Sequence, residues 1–349
     1  MAVNGKAAYV YDRTARAHAK VNLQLGVGAA RSDGFHELVS VFQALNIYDE
    51  VTLRAVPAAS PVLPAAPTPA ALPRMASLHA QGPYAAGVPE DSTNLAWRAV
   101  EAVAQEYAGR SVGPSSDERA TDAPTAQGVE LELILHKGIP AAGGMAGGSA
   151  DAAAALRLAA DFFAQYVGES VVDEARLMEL AADLGSDVPF TLLGGTALGT
   201  GRGEKLTRML ARGTFHWAII TSDKGLSTPE VFGTFDRLHP DTDQWEPAFD
   251  STAVATAVAA GDAHHLAAAL VNDLQAPALS LRPDLRKTLR AGEAAGALRG
   301  IVSGSGPTCA FLCADADVAA EVVAEVTVEI PGTRGIVTTS PAPGATLLP

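Results

Sequence analysis

Residues 139–149 read Ile139-Pro140-Ala141-Ala142-Gly143-Gly144-Met145-Ala146-Gly147-Gly148-Ser149, and this run decides the fold. Glycine fills four of the six positions from 143 to 148, so a ligand can approach the backbone closely. A period-2 pattern over 130–136 predicts a strand before the run, and apolar residues at helical spacing over 156–167 predict a helix after it. The helix start offers free N–H groups and the positive end of a dipole, which suits a polyphosphate. A flexible turn before a packed helix is the alternative, and the glycine density favours phosphate binding.

The run differs from two common nucleotide-binding motifs. No lysine follows its last glycine, so it is not a Walker P-loop. Its glycine spacing also departs from the dinucleotide fingerprint, which makes a dinucleotide-dependent oxidoreductase a remote alternative. Other parts of the chain must therefore supply the cation and the metal site.

Composition and charge limit the class of protein. The 349 residues are 48% hydrophobic, which is enough for a large core in two domains. No uninterrupted apolar segment reaches the roughly 20 residues of a membrane span, and the N-terminus lacks an apolar signal-peptide core. A net charge of -14 argues against a nucleic-acid surface. We expect a soluble, cytoplasmic protein whose two cysteines, Cys309 and Cys313, are reduced and structural.

A strand with unusual polarity is predicted near the N-terminus. Apolar and polar residues alternate from 17 to 25, so Lys20 and Asn22 share one face with His18 and Gln24. A lysine on the polar face of a strand is usually a solvated surface residue. This much polarity beside an apolar face suggests instead the lining of a cleft.

Further elements follow from periodicity and from capping residues. Residues 57–89 are rich in alanine and proline and predict an irregular insertion, because proline cannot donate to a sheet ladder, and 109–128 predict a polar linker. The strand that begins at Phe215 opens a second domain. The predicted strands are Leu38–Leu45, Asp49–Val56 and Phe215–Thr221, and the predicted helices are 95–107, Asp173–Leu184 and Leu281–Ala295.

Two other segments carry candidate functional residues. Asp187 follows a predicted helix and precedes a proline by two residues. It is either a cap or turn carboxylate or a base for a substrate hydroxyl, and the residues alone favour neither interpretation. The second segment, Val302-Ser303-Gly304-Ser305-Gly306-Pro307-Thr308, has glycines that would let the chain close against the glycine run. By itself it is weak evidence, since a tight turn between helix and strand has the same composition.

Taken together, these segments resemble a known superfamily. The glycine run is similar to the second motif of the GHMP kinases, and 302–308 is similar to their third. Within that superfamily the chain resembles the 4-diphosphocytidyl-2-C-methyl-D-erythritol kinase family of the non-mevalonate isoprenoid pathway. Five segments in the family's order carry the resemblance: Ala19-Lys20-Val21-Asn22-Leu23, Ser32-Asp33-Gly34-Phe35-His36, Gly147-Gly148-Ser149-Ala150-Asp151, Leu184-Gly185-Ser186-Asp187-Val188-Pro189 and Lys224-Gly225-Leu226-Ser227-Thr228-Pro229-Glu230-Val231-Phe232.

The resemblance implies a fold and a reaction. The fold is α+β, with a ribosomal protein S5 domain 2-like domain over 1–212, a ferredoxin-like domain over 213–349 and the active site in the cleft between them. The reaction transfers the γ-phosphoryl group of ATP to the 2-hydroxyl of a cytidine-diphosphate-linked methylerythritol. Mg²⁺ is expected with ATP because the phosphates need a partner for developing charge, and Ser149 is a candidate ligand. The oligomeric state stays open.

The resemblance also implies a catalytic pair and an ATP loop. Asp187 would take the proton of the acceptor hydroxyl, and Lys20 would hold the carboxylate and the hydroxyl in place. The ATP phosphates would be wrapped by Pro140, Ala141, Ala142, Gly143, Gly144, Met145, Ala146, Gly147, Gly148, Ser149 and Ala150. Two residues depart from the family's usual pattern: Ala146 replaces a frequent glycine, and Ala150 replaces a frequent serine.

Five further residues would contact the substrate. Asn22 would orient the erythritol end, and Thr228 belongs to the segment on the substrate side. His36 would hydrogen-bond the cytosine, and the rings of Phe35 and Phe232 would enclose that base. Phe35 stands where the family often has tyrosine, which keeps the stacking surface and loses a hydroxyl.

Two other functions remain as alternatives. Another GHMP kinase would take homoserine, mevalonate or a sugar, none of which has a base to stack, so Phe35 and His36 argue against it. A catalytically idle nucleotide-binding protein on the same fold would tolerate the loss of Lys20 or Asp187, and both are present.

Overall fold

The computed structural model of the protein describes residues 11–31, 34–57, 72–108, 129–140, 143–240 and 245–349. Within these ranges, helices and strands are mixed, and the strands form an eight-stranded and a four-stranded sheet. The predicted α+β class is confirmed. The predicted linker over 109–128 lies outside the described residues, as does part of the predicted insertion.

The strands, in chain order, are β1 (Tyr11–Ala30), β2 (His36–Pro57), β3 (Arg74–Gln81), β4 (Val129–His136), β5 (Thr196–Gly201), β6 (Lys205–Arg208), β7 (Phe215–Ser222), β8 (Val271–Asn272), β9 (Arg299–Val302), β10 (Cys309–Cys313), β11 (Thr333–Ser340) and β12 (Thr346–Leu347). The helices, in chain order, are α1 (Leu95–Glu106), α2 (Gly147–Val167), α3 (Glu174–Leu184), α4 (Val188–Leu193), α5 (Thr228–Leu238), α6 (Thr252–Ala260), α7 (Ala263–Ala269), α8 (Gln275–Leu281), α9 (Leu285–Ala294) and α10 (Ala316–Glu329). None of the helices in the described ranges is long and apolar enough to cross a membrane.

The larger sheet draws strands from both ends of the chain. Its main path is β12-β1-β2-β4-β3, while β5 pairs with β2 and β6, and β8 pairs with β1. Strands β8 and β12 lie after residue 212, so the second half of the chain contributes two strands to the first sheet. The domain boundary at 212 stays a prediction.

Strand β1 is buried on both faces. Its apolar side chains belong to the same hydrophobic cluster as the alanine-rich face of α2. On the other face, His18, Lys20, Asn22 and Gln24 are each no more than 5% exposed. The interpretation of Lys20 as a solvated surface residue is therefore wrong, and its polar face lines the interior of the molecule.

Three predicted boundaries are wrong. The strands predicted over Leu38–Leu45 and Asp49–Val56 are one strand, β2, because a bulge in the pairing with β1 takes up two of the three residues between them. The predicted insertion contains β3, a proline-free segment that lies at the edge of the described sheet, where β4 is its one partner among the described strands. The helix predicted over Leu281–Ala295 is α9, which begins four residues later at Leu285, because the chain leaves the helical conformation beside Pro283.

The smaller sheet has the order β11-β7-β10-β9, and α8, α9 and α10 contribute to the hydrophobic cluster on one side of it. Cys309 and Cys313 are free and buried in β10, in agreement with the sequence. The turn between β9 and β10 contains 303–308 and reaches back to the glycine run, so the second sheet positions one wall of the site.

Candidate active site

The described end of the glycine run, from residue 143 onward, turns tightly into α2 (Gly147–Val167), and its small residues allow this conformation. Gly144 has φ +70°, and a Cβ there would lie 2.3 Å from the carbonyl oxygen of Ser303. Ala146 is the one non-glycine residue with positive φ in the described chain, at 63°, and it caps α2. A positive φ favours glycine, so alanine is an unusual residue at this position. Ala141 and Ala142, which were predicted to bind ATP, lie outside the described residues.

The turn over 303–308 closes against this loop, as predicted from its glycines. Ser303 Oγ donates to the carbonyl oxygen of Gly144 at 3.3 Å, and a Cβ on Gly143 would lie 2.5 Å from Thr308 Oγ1. Thr308 Oγ1 is buried and has no hydrogen-bond partner within the described residues. A hydroxyl that faces the loop in this way is available to a ligand bound there.

Lys20 lies beneath the loop and faces Asp187. Its backbone N–H donates to the carbonyl oxygen of Met145 at 3.2 Å, which ties β1 to the loop. Its Nζ donates to Asn22 Oδ1 at 2.6 Å and lies 3.8 Å from Asp187 Oδ2. Asn22 Nδ2 in turn donates to Ser40 Oγ at 2.8 Å, so the amide is fixed with its oxygen towards the lysine. The structure thus brings together Lys20 and Asn22, predicted from one segment, and Asp187, predicted from another.

Asp187 is the residue that precedes α4 (Val188–Leu193), but its side chain makes no capping hydrogen bond. The side chain is 36% exposed, whereas that of Lys20 is 5% exposed, so the carboxylate is the solvent-facing member of the pair. Thr191 Oγ1 of α4 donates to the carbonyl oxygen of Ser149 at 2.9 Å, which fixes α4 against the first turn of α2. The geometry favours a carboxylate that faces a ligand over one that caps a helix.

A buried ionic cluster under the loop was missed by the sequence analysis. Lys137 follows β4 directly, and its Nζ donates to Asp49 of β2 and, at 2.5 Å, to Asp151 Oδ2 of α2. Asp49 also accepts from the N–H groups of Gly138 and Ile139 at 2.7 and 2.8 Å. All three ionic side chains are no more than 3% exposed. The cluster therefore fixes both ends of the glycine loop to the sheet.

The protonation of this cluster depends on its burial. Burial raises the pKa of Asp151, and the charge of Asp49 raises it further, while Lys137 opposes both effects. Burial lowers the pKa of Lys137, but the two carboxylates outweigh it and hold that pKa above its ordinary value. One signal in the sequence could have revealed the cluster: Asp151 is the one charged residue among the alanines of 150–155. Such a charge on a packed helix face needs a partner.

The residues predicted to bind the cytosine base lie near the end of β1 and the start of β2. His36 opens β2, its ring lies 5.0 Å from that of Phe232 on α5 (Thr228–Leu238), and its Nε2 lies 2.7 Å from Asp236 Oδ1. Phe35 is 48% exposed, and its ring contacts the guanidinium of Arg202 at 5.1 Å. His36 and Phe232 are thus together, while the pairing of Phe35 with Phe232 around a base stays a prediction.

Thr228 and Asn272 connect this region with the catalytic pair. Thr228 Oγ1 lies 2.8 Å from Ser305 Oγ, so the start of α5 contacts the turn over 303–308. Asn272, which the sequence analysis missed, donates from Nδ2 to the carbonyl oxygens of Val302 and Gly304, both at 2.8 Å. Gly304 itself packs close to Lys20 and Asn22, since a Cβ at this position would lie 3.4 Å from Lys20 Nζ and 3.5 Å from Asn22 Oδ1.

A resident metal centre is not evident in the described part of the chain. No group of three or more His, Cys, Asp or Glu side chains within it could hold a metal ion. Ser149, in the first turn of α2 and partly exposed, is the one predicted ligand for an ion that would enter with ATP. Such an ion takes most of its ligands from phosphates and water, so a single hydroxyl fits that role.

Comparison with known proteins gives consistent results. Residues 94–195 match the GHMP kinases N terminal domain, and residues 254–329 match the GHMP kinases C terminal domain. The 4-diphosphocytidyl-2-C-methyl-D-erythritol kinase of Corynebacterium diphtheriae is 49% identical over 279 residues, which cover 80% of each chain. The protein of the same name from Streptomyces coelicolor is 48% identical over 79% of each chain.

Solved structures agree with the fold. A crystal structure of 4-(cytidine 5'-diphospho)-2C-methyl-D-erythritol kinase superposes with a TM-score of 0.66 at 29% identity, and the match covers 94% of this chain and 98% of that one. Homoserine kinase from Cytophaga hutchinsonii and mevalonate kinase from L. major each give a TM-score of 0.67, at 17% and 14% identity. At that level of identity these two structures inform on the fold alone.

Proposed function

The chain belongs to the 4-diphosphocytidyl-2-C-methyl-D-erythritol kinase family of the GHMP kinases, and we propose that it phosphorylates the 2-hydroxyl of that cytidylated polyol with ATP. The products are the 2-phosphate and ADP. The reaction belongs to the non-mevalonate pathway of isoprenoid precursor synthesis, and its soluble substrates support a cytoplasmic location. The observation that carries the proposal is the Lys20–Asp187 pair beside the glycine loop.

Asp187 is proposed as the base. Its carboxylate is free of any capping role and faces solvent, so a substrate hydroxyl can donate a hydrogen bond to it. In phosphoryl transfer the base orients the attacking oxygen and accepts its proton as the new P–O bond forms. Lys20 stabilises the ionised carboxylate and donates to the attacking oxygen, and Asn22 fixes the ammonium group through a 2.6 Å hydrogen bond. Both effects require the lysine to be held rigidly, which its burial provides.

The loop is proposed to bind the ATP phosphates through its backbone. The free N–H groups at the start of α2 can donate hydrogen bonds to the phosphate oxygens, and the positive end of the helix dipole attracts their negative charge. Thr308 Oγ1, buried without a partner in the described chain, adds a hydroxyl from the opposite wall. Mg²⁺ bound with ATP would neutralise charge on the phosphates, and the Ser149 hydroxyl is the protein group proposed to face it.

The cytidine end is proposed to bind near His36. Phe232 lies beside that imidazole, and Phe35 presents an exposed ring, so a flat base can stack there. Homoserine, mevalonate and simple sugars have no group for such a surface. This difference separates the proposed acceptor from those of kinases that share the fold.

The proposal is tested by ADP release from purified protein. We expect turnover with ATP and the cytidylated methylerythritol, and none above background with homoserine, mevalonate or galactose. Absence of turnover with the first compound, in the presence of Mg²⁺, would reject the proposed activity.

A pair of variants tests the role of Asp187. Asp187→Asn should lower kcat by about 10²-fold or more, the usual contribution of a positioned base, and leave the affinity for ATP largely unchanged. Asp183→Asn changes an exposed carboxylate on the neighbouring helix α3 and serves as the matched control. Equal activity of the two variants would show that Asp187 is not the base.

A further inference from the structure

The imidazole of His36 is held in one orientation by three neighbours. Its ring lies between Phe232, at 5.0 Å and tilted by 31°, and Phe235, which meets it edge-on at 5.9 Å. Its Nε2 lies 2.7 Å from Asp236 Oδ1. The His36 side chain is 7% exposed, whereas that of Asp236 is 49% exposed. The carboxylate therefore approaches a nearly buried ring from the solvent side.

The contact with Asp236 decides which ring nitrogen bears the hydrogen. A carboxylate only accepts hydrogen bonds, so Nε2 must be the donor. In a neutral imidazole this leaves Nδ1 with its lone pair, as a hydrogen-bond acceptor. Among the described residues, Nε2 is the ring nitrogen of His36 that has a hydrogen-bond partner, and Nδ1 is left for a ligand.

An acceptor at Nδ1 distinguishes the two common pyrimidine bases. Cytosine carries a 4-amino group, which donates, while uracil carries an oxygen at the same position, which accepts. The lone pair on Nδ1 can accept a hydrogen bond from the 4-amino group of cytosine. With uracil, the same lone pair would meet the oxygen at position 4, and neither atom could donate. A site that hydrogen-bonds one group discriminates strongly against an analogue that lacks it, because the polar atoms are then left unpaired.

We infer that Asp236 is a specificity-determining positioning residue, which holds the hydrogen of His36 on Nε2 and so makes the site select cytidine over uridine substrates. The inference rests on the proposed function, since it assumes that the base binds beside His36. Asp236 contacts the imidazole and not the substrate, so it acts through His36. Its exposure means that the carboxylate can be changed with little loss of packing.

The variant Asp236→Asn tests this role by replacing a group that can only accept. An asparagine amide can donate to Nε2 through its –NH₂ group as well as accept through its oxygen, so the ring hydrogen is no longer confined to Nε2, and Nδ1 can become a donor. The steric change is small. We expect the ratio of kcat/KM for the cytidine substrate to kcat/KM for its uridine-diphosphate analogue to fall about tenfold, the effect of one hydrogen bond. The KM for ATP should not change, and Asp236→Glu should retain most of the cytidine preference.

Asp262→Asn is the matched control. Asp262 Oδ2 pairs with His265 Nδ1 at 2.6 Å on the exposed surface of α7, and asparagine caps a helix as well as aspartate does. This variant should keep the full cytidine preference. If Asp236→Asn also keeps it, the inference is wrong; if it lowers kcat/KM equally for both substrates, Asp236 has only a structural role and the inference is again wrong.

A spectroscopic measurement separates failure of this inference from failure of the proposed function. Long-range ¹H–¹⁵N correlation spectra of histidine-labelled protein identify the tautomer of each ring without any substrate. His36 should carry its hydrogen on Nε2 in the wild type and shift towards Nδ1 in Asp236→Asn. If the wild type does not turn over the cytidine substrate, the proposed function is rejected. If the wild-type spectrum shows an Nδ1–H tautomer of His36, the role of Asp236 is rejected, whatever the activity.

Discussion

Replacement of Lys137 by methionine removes the one cation from the buried cluster while keeping most of the unbranched side chain. The change leaves Asp49 and Asp151, which are no more than 3% exposed, facing each other without a counter-ion. Loss of one partner from a buried ion pair typically costs about 3–5 kcal/mol in the free energy of unfolding. Protonation of Asp151 can relieve part of this cost, since burial already raises the pKa of that group. We expect a loss of about 3 kcal/mol at pH 8 and a smaller loss at pH 6.

Urea unfolding followed by tryptophan fluorescence measures this effect, because Trp217 is fully buried beside the large core. Lys205→Met, on the exposed strand β6, is the control for the loss of a lysine and should behave as the wild type. In activity assays Lys137→Met should also raise the KM for ATP, because the cluster fixes both ends of the loop. A stability equal to that of Lys205→Met at pH 8 would refute the view that Lys137 compensates two buried carboxylates.

The remaining predictions concern the same loop. Burial raises the pKa of Asp151 from 3.8 to about 7, so the stability that its protonated form contributes is present below pH 3.8 and is lost as pH rises to 7. Asp151→Asn should reduce the decrease of the urea midpoint between pH 5, 6 and 7. An unchanged dependence of the midpoint on pH would contradict this assignment. Gly144→Ala should weaken ATP binding, measured by calorimetry, about tenfold or more, because its Cβ would lie 2.3 Å from a backbone oxygen at a φ of +70°. Gly168 has a similar φ but no atom near the position of a Cβ, so Gly168→Ala is the control for backbone strain without the steric conflict. Asn272→Ala removes the hydrogen bonds to the carbonyl oxygens of Val302, at the end of β9, and Gly304, in the turn that follows, and should cost about 1–3 kcal/mol in unfolding free energy. It should also lower kcat/KM, and unchanged kinetics would show that the turn keeps its position without this amide.

Much of the fold could be predicted because its signals are local. The strand, glycine loop and helix from 129 to 167 were predicted from alternation and helical spacing. Asn94 and Asp173 cap α1 and α3 through their side chains, and the predicted starts of both helices lie within one residue of the observed ones. The wrong boundaries have non-local causes, since a bulge in β2 depends on its pairing with β1, and an edge strand such as β3 depends on the presence of β4.

The site divides in the same way. Lys20 and Asp187 were proposed from motif resemblance, but their 3.8 Å separation depends on how α4 packs against α2. Lys137 and Asp49 carry no motif of their own, and their partnership exists only once β2, β4 and α2 are assembled. A pattern along the chain cannot indicate a contact of this kind, because each residue alone is indistinguishable from a surface charge.

The charges around the loop indicate how an acidic protein can hold a polyphosphate. Lys20 and Lys137 lie beside the loop, and each already faces carboxylates, so neither brings an uncompensated positive charge. The attraction for phosphate must then come from backbone N–H groups at the start of α2 and from the cation that accompanies ATP. The two lysines have different tasks, since Lys20 orients a carboxylate and Lys137 fixes the loop. It follows that affinity for ATP depends on the conformation of the loop, which is why a single methyl group at Gly144 should weaken binding by the steric conflict it creates.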